Sequence, residues 1–217
     1  MKTLTLLFIL FSFSLFANAT YIYSTNVDGH ETKTTWIIEN KEKVWHFHGE
    51  SSLEKTLVIA SPSQINTQSF SCHSKNNNNF YSVHREGNIL FAQCENDGGK
   101  MEKTLPLNED TWVQEFDFSL KPYILSERND FKFSIVHPKK LSLHHMIASK
   151  LGLDQIDING KLLTALKVKV TLRGFKKMFW HADLWFDQES GDLLRYKAND
   201  GPNTPISIMT LLSKQIN

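Results

Sequence analysis

Leu166-Lys167-Val168-Lys169-Val170-Thr171-Leu172 decides the fold class of this chain. Apolar and polar side chains alternate strictly, with Leu and Val on one side and Lys and Thr on the other. A period of two is the signature of a β-strand with one face buried and one face wet. A helix would scatter the same residues around its whole circumference. The pattern continues outward in both directions. Upstream, Ile156-Asp157-Ile158 runs into Asn159-Gly160, a dipeptide suited to a tight hairpin. Downstream, Met178, Trp180, Ala182, Leu184 and Phe186 alternate with Phe179, His181, Asp183, Trp185 and Asp187. A turn around Gly191 follows, then a return strand over Leu193 to Lys197. Asp200-Gly201-Pro202 ends that strand, and Ile206 and Ile208 open the last one.

The earlier part of the chain reads the same way. Thr32 to Glu39 and Lys43 to His48 flank a polar turn, as do Phe80 to Arg85 and Ile89 to Cys94 around Glu86-Gly87-Asn88. Phe131, Phe133 and Ile135 alternate with Lys132 and Ser134. Leu105 to Leu120 is ambiguous: Asp110 could cap a short helix through Trp112, Val113 and Phe116, or Val113 to Phe118 could be a strand. Lys140 to Leu151 is the best helical pattern, with Leu143, Met146, Ile147 and Leu151 at helical spacing and Gly152 as a C-terminal cap. No repeat of fixed period is visible, which disfavours propellers and solenoids. The expected fold is mainly β: a curved antiparallel sheet or open half-barrel with one short helix packed on it.

The N-terminus carries a different kind of information. Met1-Lys2 precedes an apolar run from Leu4 to Phe16 and then Ala17-Asn18-Ala19. This is the layout of a secretory signal peptide with cleavage near Ala19-Thr20. The run is shorter than the roughly 20 residues of a spanning helix, and no later run reaches that length. The expectation is a signal peptide over 1–19 and one β-rich domain over 20–217. The product would be periplasmic or secreted and would not span the membrane after cleavage. No Cys stands at the cleavage position, which argues against a lipid-modified N-terminus.

Cleavage removes Lys2, so basic residues fall from 24 to 23, level with the 23 acidic ones. A neutral chain has no field to draw in nucleic acid. In an oxidising compartment the only two cysteines, Cys72 and Cys94, are disulfide candidates, the alternative being two buried thiols.

Trp180-His181-Ala182-Asp183-Leu184-Trp185-Phe186-Asp187, followed by Ser190-Gly191-Asp192-Leu193-Leu194-Arg195-Tyr196, resembles the domain of unknown function 3108 family of bacterial envelope proteins. The resemblance covers about residues 130 to 212. It implies an open antiparallel half-barrel similar to the periplasmic carrier and outer-membrane receptor that move lipoproteins. The family supplies no catalytic residues to carry over.

No chemical motif stands out. There is no G-x-S-x-G, no G-x-G-x-x-G, no P-loop and no HExxH, so nothing points to a hydrolase nucleophile, a nucleotide cofactor or a metalloprotease. No cofactor and no metal are expected. His46 and His48 share a strand face and could start a metal site, but no third ligand is evident. His144-His145 diverge on the expected helix. His181, Asp183 and Asp187 share the wet face of one strand and could serve a secreted hydrolase. Cross-strand pairing with Lys167, Lys169 and Arg173 accounts for them equally well.

The functional expectation is therefore non-catalytic: a protein that holds an apolar ligand, a lipid or a lipid-bearing envelope partner against its longest apolar faces. The candidate lining residues are Val168, Val170, Leu172, Met178, Trp180, Leu184 and Phe186. The alternatives are the hydrolase just described and an assembly protein that binds an envelope partner through a sheet edge.

Overall fold

A computed structural model describes residues 18–217 except 42, 64, 109–110, 175–179, 200 and 202–203. Met178 and Asp110 therefore lie outside the described residues, as does nearly all of the expected signal peptide.

The chain first makes a meander of eight strands: β1 (Ala19–Val27), β2 (His30–Lys41), β3 (Val44–Ser51), β4 (Glu54–Ala60), β5 (Thr67–Ser74), β6 (Phe80–Glu86), β7 (Ile89–Asn96) and β8 (Gly99–Pro106). A crossing segment follows, with a two-residue strand β9 (Thr111–Trp112) and two single-turn helices, α1 (Phe116–Ser119) and α2 (Lys121–Ile124). A second meander returns through β10 (Asp130–His137), β11 (Ser142–Ile158), β12 (Lys161–Leu172), β13 (His181–Phe186), β14 (Leu193–Asn199) and β15 (Ile206–Ile216). β15 pairs with β1, so all fifteen described strands form one sheet with β8 at one edge and β9 at the other. Among the described strands only the β9–β10 pair is parallel.

The sheet curls until its ends approach each other. Tyr81 of β6 donates its hydroxyl to the Val136 carbonyl of β10 at 2.9 Å. Lys103 of β8 reaches the Lys140 carbonyl at 2.8 Å. Ten strands separate β6 from β10 in the sheet, so a flat sheet would hold them roughly 50 Å apart. The result is a barrel left open along a seam between β8 and the β9–β12 end, the mainly β architecture expected from the alternation.

The crossing segment must run from one sheet edge to the other, and it does so through the concave side. Trp112, Val113, Phe118, Leu120, Tyr123 and Ile124 are all buried there. Phe118 is the centre of this plug. Its ring lies 5.2–6.0 Å from those of Tyr21, Tyr23, Trp36 and Phe47 on β1 to β3. Rings tilted or offset at that separation add to the burial of their area.

The helix expected over Lys140 to Leu151 does not form. Residues 142–158 are β11, paired along its length with β10 and then β12. Hydrogen bonding to strands on both sides outweighs a weak helical period. Gly152, expected as a helix cap, instead follows a β-bulge at Leu151 and itself has a φ of +103°. Such a conformation favours glycine. The bulge also shifts the phase of the strand. Beyond it Ile156 and Ile158 bury with Ala165, Trp185 and Leu194 in a second, smaller core on the convex side. The tight hairpin at Asn159-Gly160 forms as expected, both residues at positive φ.

The disulfide is not made either. Cys72 and Cys94 are free. Cys72 pairs with Tyr81, and Tyr81 pairs with Cys94, so β6 lies between them. Two strand spacings put their Cα atoms roughly 9.5 Å apart, beyond the reach of a disulfide.

Candidate functional site

A hollow of about 1450 Å³ lies along the seam. One wall comes from the ends of the first meander: Asn66 before β5, Arg85 and Asn88 at the β6–β7 hairpin, and Leu107 and Asn108 after β8. The facing wall comes from Leu143, His144 and His145 at the start of β11, and from Leu172 and Arg173 at the end of β12. Leu107 is fully buried, and Leu143 and Leu172 pack against the main core. The hollow thus has an apolar base and a polar rim, and its rim is richer in charge than an apolar cavity read from the sequence would be.

The candidate lining residues occupy different places. Val168, Val170, Leu184 and Phe186 face the concave side, where they are fully buried in the main core. Trp180 is partly buried and donates its indole N–H to the Asn199 carbonyl at 2.7 Å. Only Leu172 of the described candidates borders the seam hollow. Leu107, Leu143 and Arg85 were not singled out from the sequence. Arg85 could have been: it takes the inward phase of the alternation Tyr81, Val83, Arg85, where an apolar residue is expected.

A second polar feature fastens the plug. Asp192, at the turn before β14, accepts from Lys121 of α2 at 2.8 Å, from the Tyr21 hydroxyl at 3.0 Å and from Lys214 of β15 at 2.5 Å. Its burial works to raise the carboxyl pKa, but Lys121 and Lys214 together hold it below the ordinary range. Lys150 adds a further tie, donating to the Ile124 carbonyl at 2.9 Å and to that of Ser126. Apart from the turn at Gly191, no local pattern signals this cluster, because its members lie far apart in sequence.

The remaining candidates occupy other places. His144 and His145 sit on a strand rather than a helix, and His145 Nδ1 lies 2.9 Å from Ser134 Oγ. Lys167 approaches Asp183 at 3.8 Å across the β12–β13 ladder, and Thr171 pairs with His181. Asp187 does not join that face. β13 ends at Phe186 with an irregularity in register, and the Asp187 carboxylate caps the next turn by accepting from the Glu189 and Ser190 N–H groups. The three groups of the hydrolase reading are therefore not one row. His46 and His48 stack with ring centroids 6.0 Å apart, and Glu39 lies 3.7 Å from His48. Among the described residues no three such side chains converge to hold a metal. Burial first, and then Glu54, push the Cys72 thiol up to about 12, so it stays protonated and unreactive. No described helix is long and apolar enough to cross a membrane.

Comparison with known proteins places the fold. No family model matches the chain, and no curated protein matches it by sequence. Among solved structures it is similar to a β-barrel-like protein of domain of unknown function 1849 from Brucella abortus. That match has a TM-score of 0.59 at 7% identity and covers 93% of this chain and 98% of that one. The two share a fold. The likeness covers 93% of this chain, so it is not restricted to the C-terminal third, and the expected membership of the domain of unknown function 3108 family is not borne out. Looser matches include the hypothetical lipoprotein YmcC from Escherichia coli (TM-score 0.39, 10% identity, 92% and 88% covered). A LolA superfamily protein from Nitrosomonas europaea also aligns (TM-score 0.33, 8% identity, 94% and 88% covered). Superpositions that loose carry no weight here.

Proposed function

We propose that this chain is an exported envelope protein, carrying a signal peptide over residues 1–19, that binds an apolar ligand or the acyl part of a lipid-bearing partner without catalysis. The observation that carries the reading is the seam hollow. It is large enough for an acyl chain, it opens where the barrel fails to close, and Leu107, Leu143 and Leu172 give it an apolar base. Ligand affinity then comes from apolar burial, at roughly 25 cal/mol per Å² before the costs of association. Of the candidate residues, Leu172 contacts the ligand directly. Val168, Val170, Leu184 and Phe186 support the wall from behind.

The free edge of β8 is a poor docking edge by comparison. Lys100, Glu102 and Lys103 charge it, and such charges oppose the addition of another strand. Native mass spectrometry of protein purified from the envelope of its own organism tests the proposal. The expected result is a co-purifying lipid that organic extraction removes. A protein that emerges ligand-free and binds no acyl compound on titration contradicts it.

A further inference from the structure

Arg85 is the one charged residue on the inward row of β6. Tyr81 and Val83 precede it on that row and are buried in the main core. The next inward position meets the seam hollow, and there the side chain is a half-buried guanidinium. Its Nε donates to the Gly87 carbonyl at 2.7 Å and its Nη1 to Asn66 Oδ1 at 3.4 Å. Both acceptors are neutral. No carboxylate among the described residues pairs with it, and Glu86, the next residue, is taken by His84 at 3.2 Å on the opposite face. A guanidinium has five donors in a planar fork that fits two oxygens of an oxyanion. Folding back onto Gly87 and Asn66 fixes the direction of that fork and leaves donors over.

The apolar base formed by Leu107, Leu143 and Leu172 lies in the same hollow. A fixed cation at the rim of an apolar hollow is complementary to one kind of molecule, an acyl chain with an anionic head. We propose that the seam hollow binds an anion-headed amphiphile and that Arg85 holds its head group. This rests on the seam being the ligand site. Carboxylate and phosphate heads share the required chemistry.

The test is calorimetric titration, below micelle formation, of the whole protein with laurate, dodecyl phosphate and the uncharged monolaurin. The wild type should bind at least one of the charged compounds about tenfold or more tightly than monolaurin, the effect of one charge-assisted contact. High salt should erase most of that preference. Arg85→Gln should lose it while keeping monolaurin binding, and Arg85→Lys should keep part of it. Which charged compound wins distinguishes a carboxylate head from a phosphate head. Equal binding of charged and neutral compounds by the wild type overturns the role of Arg85 and leaves the seam as a ligand site. So does an Arg85→Gln variant, folded by its melting curve, that weakens all three alike. Binding of none of the three overturns both.

Discussion

The concave side beneath β1 to β3 and the seam between β8 and β12 are built from the same alternating strands, yet one is filled and the other is hollow. Beneath β1 to β3 the inward residues are Tyr21, Tyr23, Trp36 and Phe47, and the plug inserts Phe118 among them. At the seam the lining residues are smaller or polar, among them Leu143, Leu172, His144 and Arg85, and the plug passes by without filling the space. Alternation sets which side of a strand faces inward. Whether that side becomes core or cavity depends on where the crossing segment lies.

The sharpest way to break this contrast is to empty the filled region. Phe118→Ala should cost about 3–5 kcal/mol of stability, because four rings lose their common partner. A melting curve reads it directly, and an unchanged melting temperature would show that the plug is not core. Asp192→Asn comes next. It leaves the ammonium groups of Lys121 and Lys214 without their carboxylate, and should cost about 3 kcal/mol. Because the folded carboxyl titrates below the ordinary range, its contribution is complete above the unfolded aspartate pKa of about 3.9 and is lost as pH falls through the lower folded value. The wild type should therefore lose melting temperature in acid below about pH 4, and Asp192→Asn should show a flatter profile there. Matching acid profiles for the two proteins would remove Asp192 from the account.

The hollow region should respond in the opposite sense. Leu172→Ala should lower affinity for an acyl ligand about tenfold while costing less stability than Phe118→Ala. A stability loss as large as that of Phe118→Ala, with no change in affinity, would make Leu172 core and erase the difference between the regions. The smallest effect concerns the cysteines. Thiol titration of the denatured protein without reductant should find two free thiols, and reductant should leave the melting temperature unchanged.

The strands were legible because their period is local. Leu166 to Leu172 and Ala182 to Phe186 alternate over enough residues to leave one reading, and Asn159-Gly160 marks its hairpin through backbone conformation alone. Lys140 to Leu151 reads as a helix because Leu143, Met146, Ile147 and Leu151 fit a helical period almost as well as a strand. What decides is the pairing of β11 with two neighbours distant in sequence, which composition does not display. The cysteines misled for a related reason. Both sit near one end of a hairpin pair, but the intervening β6 appears only when register is known. The plug is ambiguous because Trp112, Val113 and Phe116 fit a helical spacing while Phe116, Phe118 and Leu120 alternate as a strand would. Arg85 was legible in principle, since a charge at the inward phase of Tyr81 and Val83 breaks the rule that its neighbours obey. A single break of that kind reads equally as the end of a strand.

Photo-crosslinking with a diazirine-bearing palmitate, followed by peptide mapping, tests most directly whether the seam is the ligand site. The predicted adducts fall on the seam walls, at residues 143–145, at Leu172 and Arg173, and at Leu107. Adducts at Tyr21 or Trp36, or a pattern spread evenly over the surface, would contradict it.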